Sequence, residues 1–265
     1  MVTPLFKQGL RNIAPLFGAV VAVLLVYIGT VVYLYDPSVS ESLALMQEAM
    51  PELFAAFGMA NPSATLLDFL LNYLYGFLLT ATFVLLGAFM AQRYVVGPAK
   101  DGSLAWTLAT PHSRTSLALT LVVVEAVAVV ALTAILTVIE IALCEALFPK
   151  ELQVDGLIRA NLGLATLGLF VSSICFASGS FFQRPDFALW IGAGICLVFL
   201  LAGLAGTVGE GLAWLTDLSP FALYDAYGLA SGDGGAAVGS AALAGASVLL
   251  FAAGVVSFGR RDFSV

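Results

Sequence analysis

Two glutamates carry the first chemical signal. Glu125 and Glu140, with Glu145 nearby, stand in one long apolar run from Ser116 to Phe148. A carboxylate in such surroundings is costly, and by default it is a functional group facing protein or a water-filled path. Glu125 and Glu140 are therefore candidates for a translocation path. The alternative for Glu125 is a neutral carboxyl hydrogen-bonded to a neighbouring helix; for Glu140 and Glu145 the alternatives are an exit vestibule or simple solvation. Asp68 and Asn72, four apart, share one helix face and suit a cap or vestibule better than substrate binding.

Enzyme chemistry lacks its residues. An intramembrane aspartyl protease needs two facing aspartates, but Asp225 and Asp233 fall in one polar segment without a GxGD pattern. The single histidine, His112, forms no rhomboid-like pair with a serine. Cys144, Cys175 and Cys196 lie in apolar runs without a CxxC and read as buried structural thiols, and no clustered His, Cys or Asp set suggests a metal. With no GxxxxGK[ST], the chain does not cradle ATP phosphates in the P-loop manner. No cofactor is expected on this chain.

The loop from Arg93 to Arg114 is the most informative stretch. Asp101 or Ser103 can begin a short helix running to Ala109, and Pro111 stops it. Leu104, Trp106 and Leu108 give it an apolar surface rather than that of a solvated linker. It serves either as a docking knob, since buried aromatics supply much interface energy, or as an interfacial helix with Trp106 at the lipid headgroups.

The elements that must position these residues follow from composition. Of 265 residues, 61% are hydrophobic and 10% charged, far below the roughly 25% charged of a soluble domain. The solvent of such a surface is lipid. The net charge of −7 sits mostly outside the apolar runs, and no basic stretch suits nucleic acid. Six runs reach the length of about 20 residues that a spanning helix needs: Ile13–Tyr35, Leu66–Ala91, Ser116–Val138, Leu157–Ser178, Phe187–Thr207 and Ala236–Phe258. The third can continue towards Phe148, and Arg159 and Asn161 interrupt the start of the fourth. The runs are continuous rather than alternating, which excludes a closed barrel. The first is too long for a signal-peptide core and reads as a retained span.

Basic residues orient the spans. With the N-terminus inside, eight basic residues (Lys7, Arg11, Arg93, Lys100, Arg114, Arg184, Arg260, Arg261) face the cytoplasm and two (Lys150, Arg159) face out, the asymmetry of the positive-inside rule. The expectation is one all-α transmembrane domain over residues 1–265, multi-pass in the plasma (inner) membrane, with both termini cytoplasmic. Glu125 then lies about ten residues, roughly 15 Å, below the surface. Outside, Ser40 to Gly58 spaces Leu43, Met46, Met50, Leu53, Phe54 and Phe57 as an amphipathic surface helix. Gly209 to Gly235 mixes aromatics with aspartates, and its Ser219-Pro220 step marks a helix start. The first eleven residues suggest a short interfacial helix inside. Glycines 192, 194, 203, 206, 239 and 245 permit close helix packing.

The loop resembles the membrane subunits of ATP-binding-cassette exporters of the type-2 permease class. That family commonly carries an acidic–Gly–Thr/Ser–Leu stretch followed by Leu-Leu-x-x-Pro-x-Ser-Arg, matched here by Asp101, Gly102, Ser103, Leu104, Leu108, Pro111, Ser113 and Arg114. The Leu218-Ser219-Pro220-Phe221 segment is similar to the family's external helical segment, and Arg260-Arg261-Asp262 to its Arg-Asp tail. The chain departs at Lys100-Asp101, where paired glutamates are frequent, and at Trp106, where an aliphatic or charged residue is common. The resemblance implies six transmembrane helices, a cytoplasmic coupling helix and external amphipathic or re-entrant segments. It implies that Leu104, Trp106 and Leu108 contact a separate ATPase subunit, with Asp101 and Arg114 setting polar contacts. ATP and Mg would sit on that partner, and two permeases, identical or homologous, would line a path within membrane lipid. The implied function is the transmembrane subunit of an ATP-driven exporter, without a catalytic site of its own. A secondary transporter or channel, or a non-transporting membrane sensor or assembly protein, stands as the alternative.

Overall fold

The computed structural model describes residues 2–35, 45–46, 49–56, 59, 65–103, 109–182, 184–208 and 210–261. Six helices among them are long and apolar enough to cross a membrane, and the described residues contain no strand. The chain is a multi-pass helical membrane protein. Only helices satisfy their own backbone groups when the runs between polar segments are this apolar.

The first span, α1, runs from Thr3 to Leu34. The separate interfacial helix expected over the first eleven residues is not formed. Pro4 sits in the first turn, where its missing N–H has no role in any case, and α1 continues through Pro15 into the span. A short helix α2, Pro51–Ala56, is the described part of the expected amphipathic segment. Leu45, Met46, Met50 and Leu53 are exposed there, and the Ala55 carbonyl accepts from Thr207 Oγ1 at 3.0 Å.

The second span, α3, covers Leu66 to Lys100, longer than its apolar run. Thr65 and Asp68 open it with a reciprocal capping box, so Asp68 is a cap. Two π-helical turns interrupt it, Leu71–Tyr75 and Gln92–Val96. Such turns bulge the backbone and turn side chains off the regular face. The third span, α4, runs unbroken from Arg114 to Leu147, followed by α5, Val154–Phe181, and α6, Pro185–Val208. Between the last two spans come α7, Ala213–Leu218, a 3₁₀ turn Pro220–Leu223, and α8, Ala226–Ser231. The last span, α9, extends from Gly234 to Arg260.

The helix α5 is the hub: it packs on α3, α4, α6, α8 and α9, while α1 leans on α4. Close approach is needed around it. A side chain at Gly168 would overlap the Phe83 ring, and one at Gly254 the Phe176 ring. Of the glycines expected to serve packing, Gly192, Gly206 and Gly239 do so, but Gly194 and Gly245 meet nothing within 4 Å. Val2 and Arg261, the first and last described residues, lie at one end of the bundle, called proximal here. Val2 N donates to Thr120 Oγ1 there at 2.9 Å, and Arg114 donates to the Arg261 carbonyl at 2.7 Å. The other end, which holds α2, α7 and α8, is called distal.

Candidate functional site

At the proximal end, the loop between α3 and α4 begins as a tight turn. The Asp101 carboxylate accepts from Ser103 N at 2.9 Å, and Gly102 takes φ +75, a left-handed conformation that a β-carbon disfavours. The Ser103 side chain and backbone, both bonded to Asp101, hold its carboxyl below the usual range. Leu104, Trp106 and Leu108 lie outside the described residues. Pro111 is exposed in a turn, and Ser113 caps α4 by accepting from Ser116 N at 3.2 Å. Arg114 opens α4 and reaches across to the Arg261 carbonyl. Arg261 in turn donates to the Gly179 carbonyl at 2.8 Å. The last residue of the loop motif is thus tied through Arg261 to the proximal end of α5.

Deeper in the proximal half, Glu125 is fully buried. Neither of its oxygens finds a hydrogen-bond partner among the described residues. The helix–helix hydrogen bond held open as its alternative is therefore not formed there.

It is Glu140 that makes such bonds, in the distal half. It is fully buried rather than solvated, and its Oε2 accepts from Tyr75 Oη at 2.9 Å and from Asn161 Nδ2 at 2.8 Å. Glu145, one turn on, is exposed and accepts from the Lys150 backbone at 3.3 Å. Each partner of Glu140 is placed by a local feature. Tyr75 belongs to the first π turn of α3, and its carbonyl is taken up by Thr80 Oγ1 at 3.4 Å. Asn161 lies on the buried face of α5.

The segment between α6 and α9 folds onto this cluster. Ser219 Oγ donates to the Phe199 carbonyl at 2.7 Å and accepts from Phe221 N at 3.3 Å. Pro220 follows in the first turn of the 3₁₀ helix. Phe221 packs edge-on against Phe170 and Phe199, with ring centroids 6.4 and 6.0 Å apart. Tyr224 donates to the Ala160 carbonyl at 3.3 Å. Burial first, then the Glu140 and Asp225 carboxyls, push the Tyr224 phenol well above its ordinary range. Arg159 clamps the far end of the segment, donating to the Leu229 and Ala230 carbonyls at 3.0 and 2.6 Å. Gly206 leaves room for Thr216, and Gly239 for the Leu223 carbonyl.

Between α3, α6 and this segment lies a cavity of about 220 Å³. Tyr75, Tyr224, Tyr227 and Asp225 line it, together with leucines of α3, α5 and α6. Glu140 and Ser219–Phe221 are brought to one region; Glu125 and the proximal loop are not. Sequence reasoning did not pick out Tyr75, Tyr224 or Arg159 as partners. The one available signal was a charged and an amide residue, Arg159 and Asn161, near the start of an apolar span.

Compared with models of known protein families the chain matches none, and no curated protein matches it either.

Proposed function

We propose that the chain is the transmembrane subunit of an ATP-driven exporter of the type-2 permease class, paired with a second permease and two separate ATPase subunits. The observation that carries the reading is the 101–114 motif on the loop at the proximal end of the bundle, beside Val2 and Arg261. Its last residue, Arg114, is hydrogen-bonded to the Arg-Arg ending of the chain, so two elements of the resemblance meet in space. The loop carries the coupling function, with Leu104, Trp106 and Leu108 as its contacts to the ATPase. Displacement of the loop reaches α5 through Arg114, Arg261 and the Gly179 carbonyl. The proximal end faces the cytoplasm by the basic-residue asymmetry, and the Ser219–Leu223 turn is a re-entrant element of the outer leaflet. Alternating access follows when ATP binding draws the two ATPases together.

The test is co-expression with an ATP-binding-cassette ATPase encoded next to this chain. The two should co-purify, and Trp106→Ala with Leu108→Ala should uncouple hydrolysis from transport. Full substrate-stimulated hydrolysis in a double variant that still co-purifies would refute the coupling assignment. A transporter that works without an ATPase is the second reading, favoured by the two buried carboxyls, Glu125 and Glu140. Substrate flux in vesicles lacking nucleotide would select it.

A further inference from the structure

The distal cavity has a wall of unusual chemistry. Tyr75, Tyr224 and Tyr227 all line it, yet each hydroxyl is already donating elsewhere: to Glu140, to the Ala160 carbonyl and to the Asp68 carbonyl at 3.1 Å. Thr80 and Thr207, also in the wall, donate to the Tyr75 and Leu204 carbonyls. The rings are left to offer the cavity π-density rather than hydrogen-bond donors. A ligand phosphate, carboxylate or carbonyl would find few N–H or O–H groups there.

The charge points the same way. Asp225 is the only charged residue in the described lining, and no lysine or arginine joins it. Arg159, the nearby cation on α5, is committed to the Leu229 and Ala230 carbonyls. Behind the wall, Tyr75 holds Glu140, whose Oε1 is buried without a partner among the described residues. Aromatic rings beside carboxylates favour an ammonium group, through the ring quadrupole and direct ion pairing. Apart from Thr216, the rest of the wall is leucine, phenylalanine, alanine and glycine, and a volume of about 220 Å³ is below the roughly 300–1,000 Å³ of pockets for drug-sized ligands. It suits one alkyl chain with a small head.

We propose that this cavity, with Glu140 behind its tyrosine wall, is a binding site for a cationic amphiphile of the alkylamine type. The amine sits among Tyr75, Tyr224 and Asp225, and the chain lies against Leu71, Leu200 and Leu204. Movement of the Tyr75 ring would open the cavity to Glu140. As the substrate class of an exporter this rests on the function proposed above; as a binding site it does not.

The test therefore uses the purified full-length chain in nanodiscs without any ATPase. An alkylamine bearing a diazirine is photolysed, and the labelled peptides are mapped by mass spectrometry. Labelling should fall on the peptides containing Leu71–Thr80 and Leu200–Thr207. n-Octylamine should protect them at concentrations about tenfold lower than n-octanol, the scale of one ion-pair contact. Asp225 caps α8 by accepting from Gly228 N at 2.9 Å; Asp225→Asn keeps that cap and Glu140→Gln keeps an acceptor for Tyr75 and Asn161, so each removes charge with the least disturbance of the fold. In Asp225→Asn, and further in the double variant, the preference for amine over alcohol should shrink towards unity while cavity labelling persists. Labelling elsewhere, equal protection by octanol, or an undiminished preference in the folded Asp225→Asn variant would overturn the proposal. Failure of ATPase co-purification leaves these outcomes untouched, so the two ideas fail separately.

Discussion

Arg159 and Asn161 show how a residue that weakens a span on paper strengthens it in the fold. Both sit at the start of α5, where an apolar helix begins with a cation and an amide. Arg159 spends its donors on two carbonyls in the last turn of α8, of which that of Leu229 also accepts from Gly232 N at 3.1 Å. Asn161 spends one on Glu140. Hydrogen bonds to charged groups contribute about 1.5–3 kcal/mol when buried, and the Arg159 pair is half-buried, so its two bonds together are worth about 2 kcal/mol. Arg159→Ala should lower the thermal unfolding midpoint in detergent by several degrees, at roughly 2–4 °C per kcal/mol for a chain of this size. Arg159→Lys, which keeps the charge but loses the planar fork, should recover less than half. An unchanged midpoint in Arg159→Ala would show that α8 is held by its apolar contacts alone. Neither role was legible beforehand, because the partners lie 70 and 21 residues away in the chain and no local pattern encodes them.

At the scale of elements, existence was legible and fine structure was not. Length and hydropathy place six spans because a bilayer imposes both at once. They do not mark the π turns of α3, since a single bulge leaves the apolar run unbroken while rotating Tyr75 towards Glu140. They also do not separate a glycine that admits a neighbour from one that faces open space. Gly239 and Gly245, six residues apart on α9, make that distinction testable. A β-carbon at 239 would overlap the Leu223 carbonyl, on a turn anchored by Ser219 to the Phe199 backbone. At 245 it meets nothing within 4 Å. Gly239→Ala should therefore destabilise by about 1–3 kcal/mol, the usual range for overpacking. Gly245→Ala should stabilise by up to about 1 kcal/mol, from the better helix propensity of alanine. Melting curves of the two variants should shift in opposite directions, and a shift of the same sign in both would refute the close-approach role of Gly239. The proximal loop was legible in a different sense: its residue types suggested docking, and the fold adds the tie from Arg114 to Arg261.

At the scale of the molecule, the orientation of the bundle decides whether the proposed coupling loop could reach a cytoplasmic ATPase. The bundle has a proximal end with Val2, Arg261 and the loop between α3 and α4, and a distal end with α2, α7, α8 and the cavity. Eight of the ten basic residues belong to the proximal side, and translocation retains such segments in the cytoplasm. The three native cysteines are buried, so single cysteines placed at exposed positions report against a low background. His112 is exposed in the proximal loop and Glu151 in the distal turn after α4. A membrane-impermeant maleimide applied to intact cells or right-side-out vesicles should label Glu151→Cys and spare His112→Cys, and after permeabilisation it should label both. The reverse pattern would place the loop outside, beyond reach of any cytoplasmic ATPase, and the exporter reading would fall with it. The same inversion would set the tyrosine-walled cavity at the cytoplasmic side, where an alkylamine site would serve uptake of ligand from the cell interior rather than its release outside. One labelling experiment thus fixes the direction in which force from the loop, passing through Arg114, Arg261 and α5, would act on the cavity that α5 helps to line.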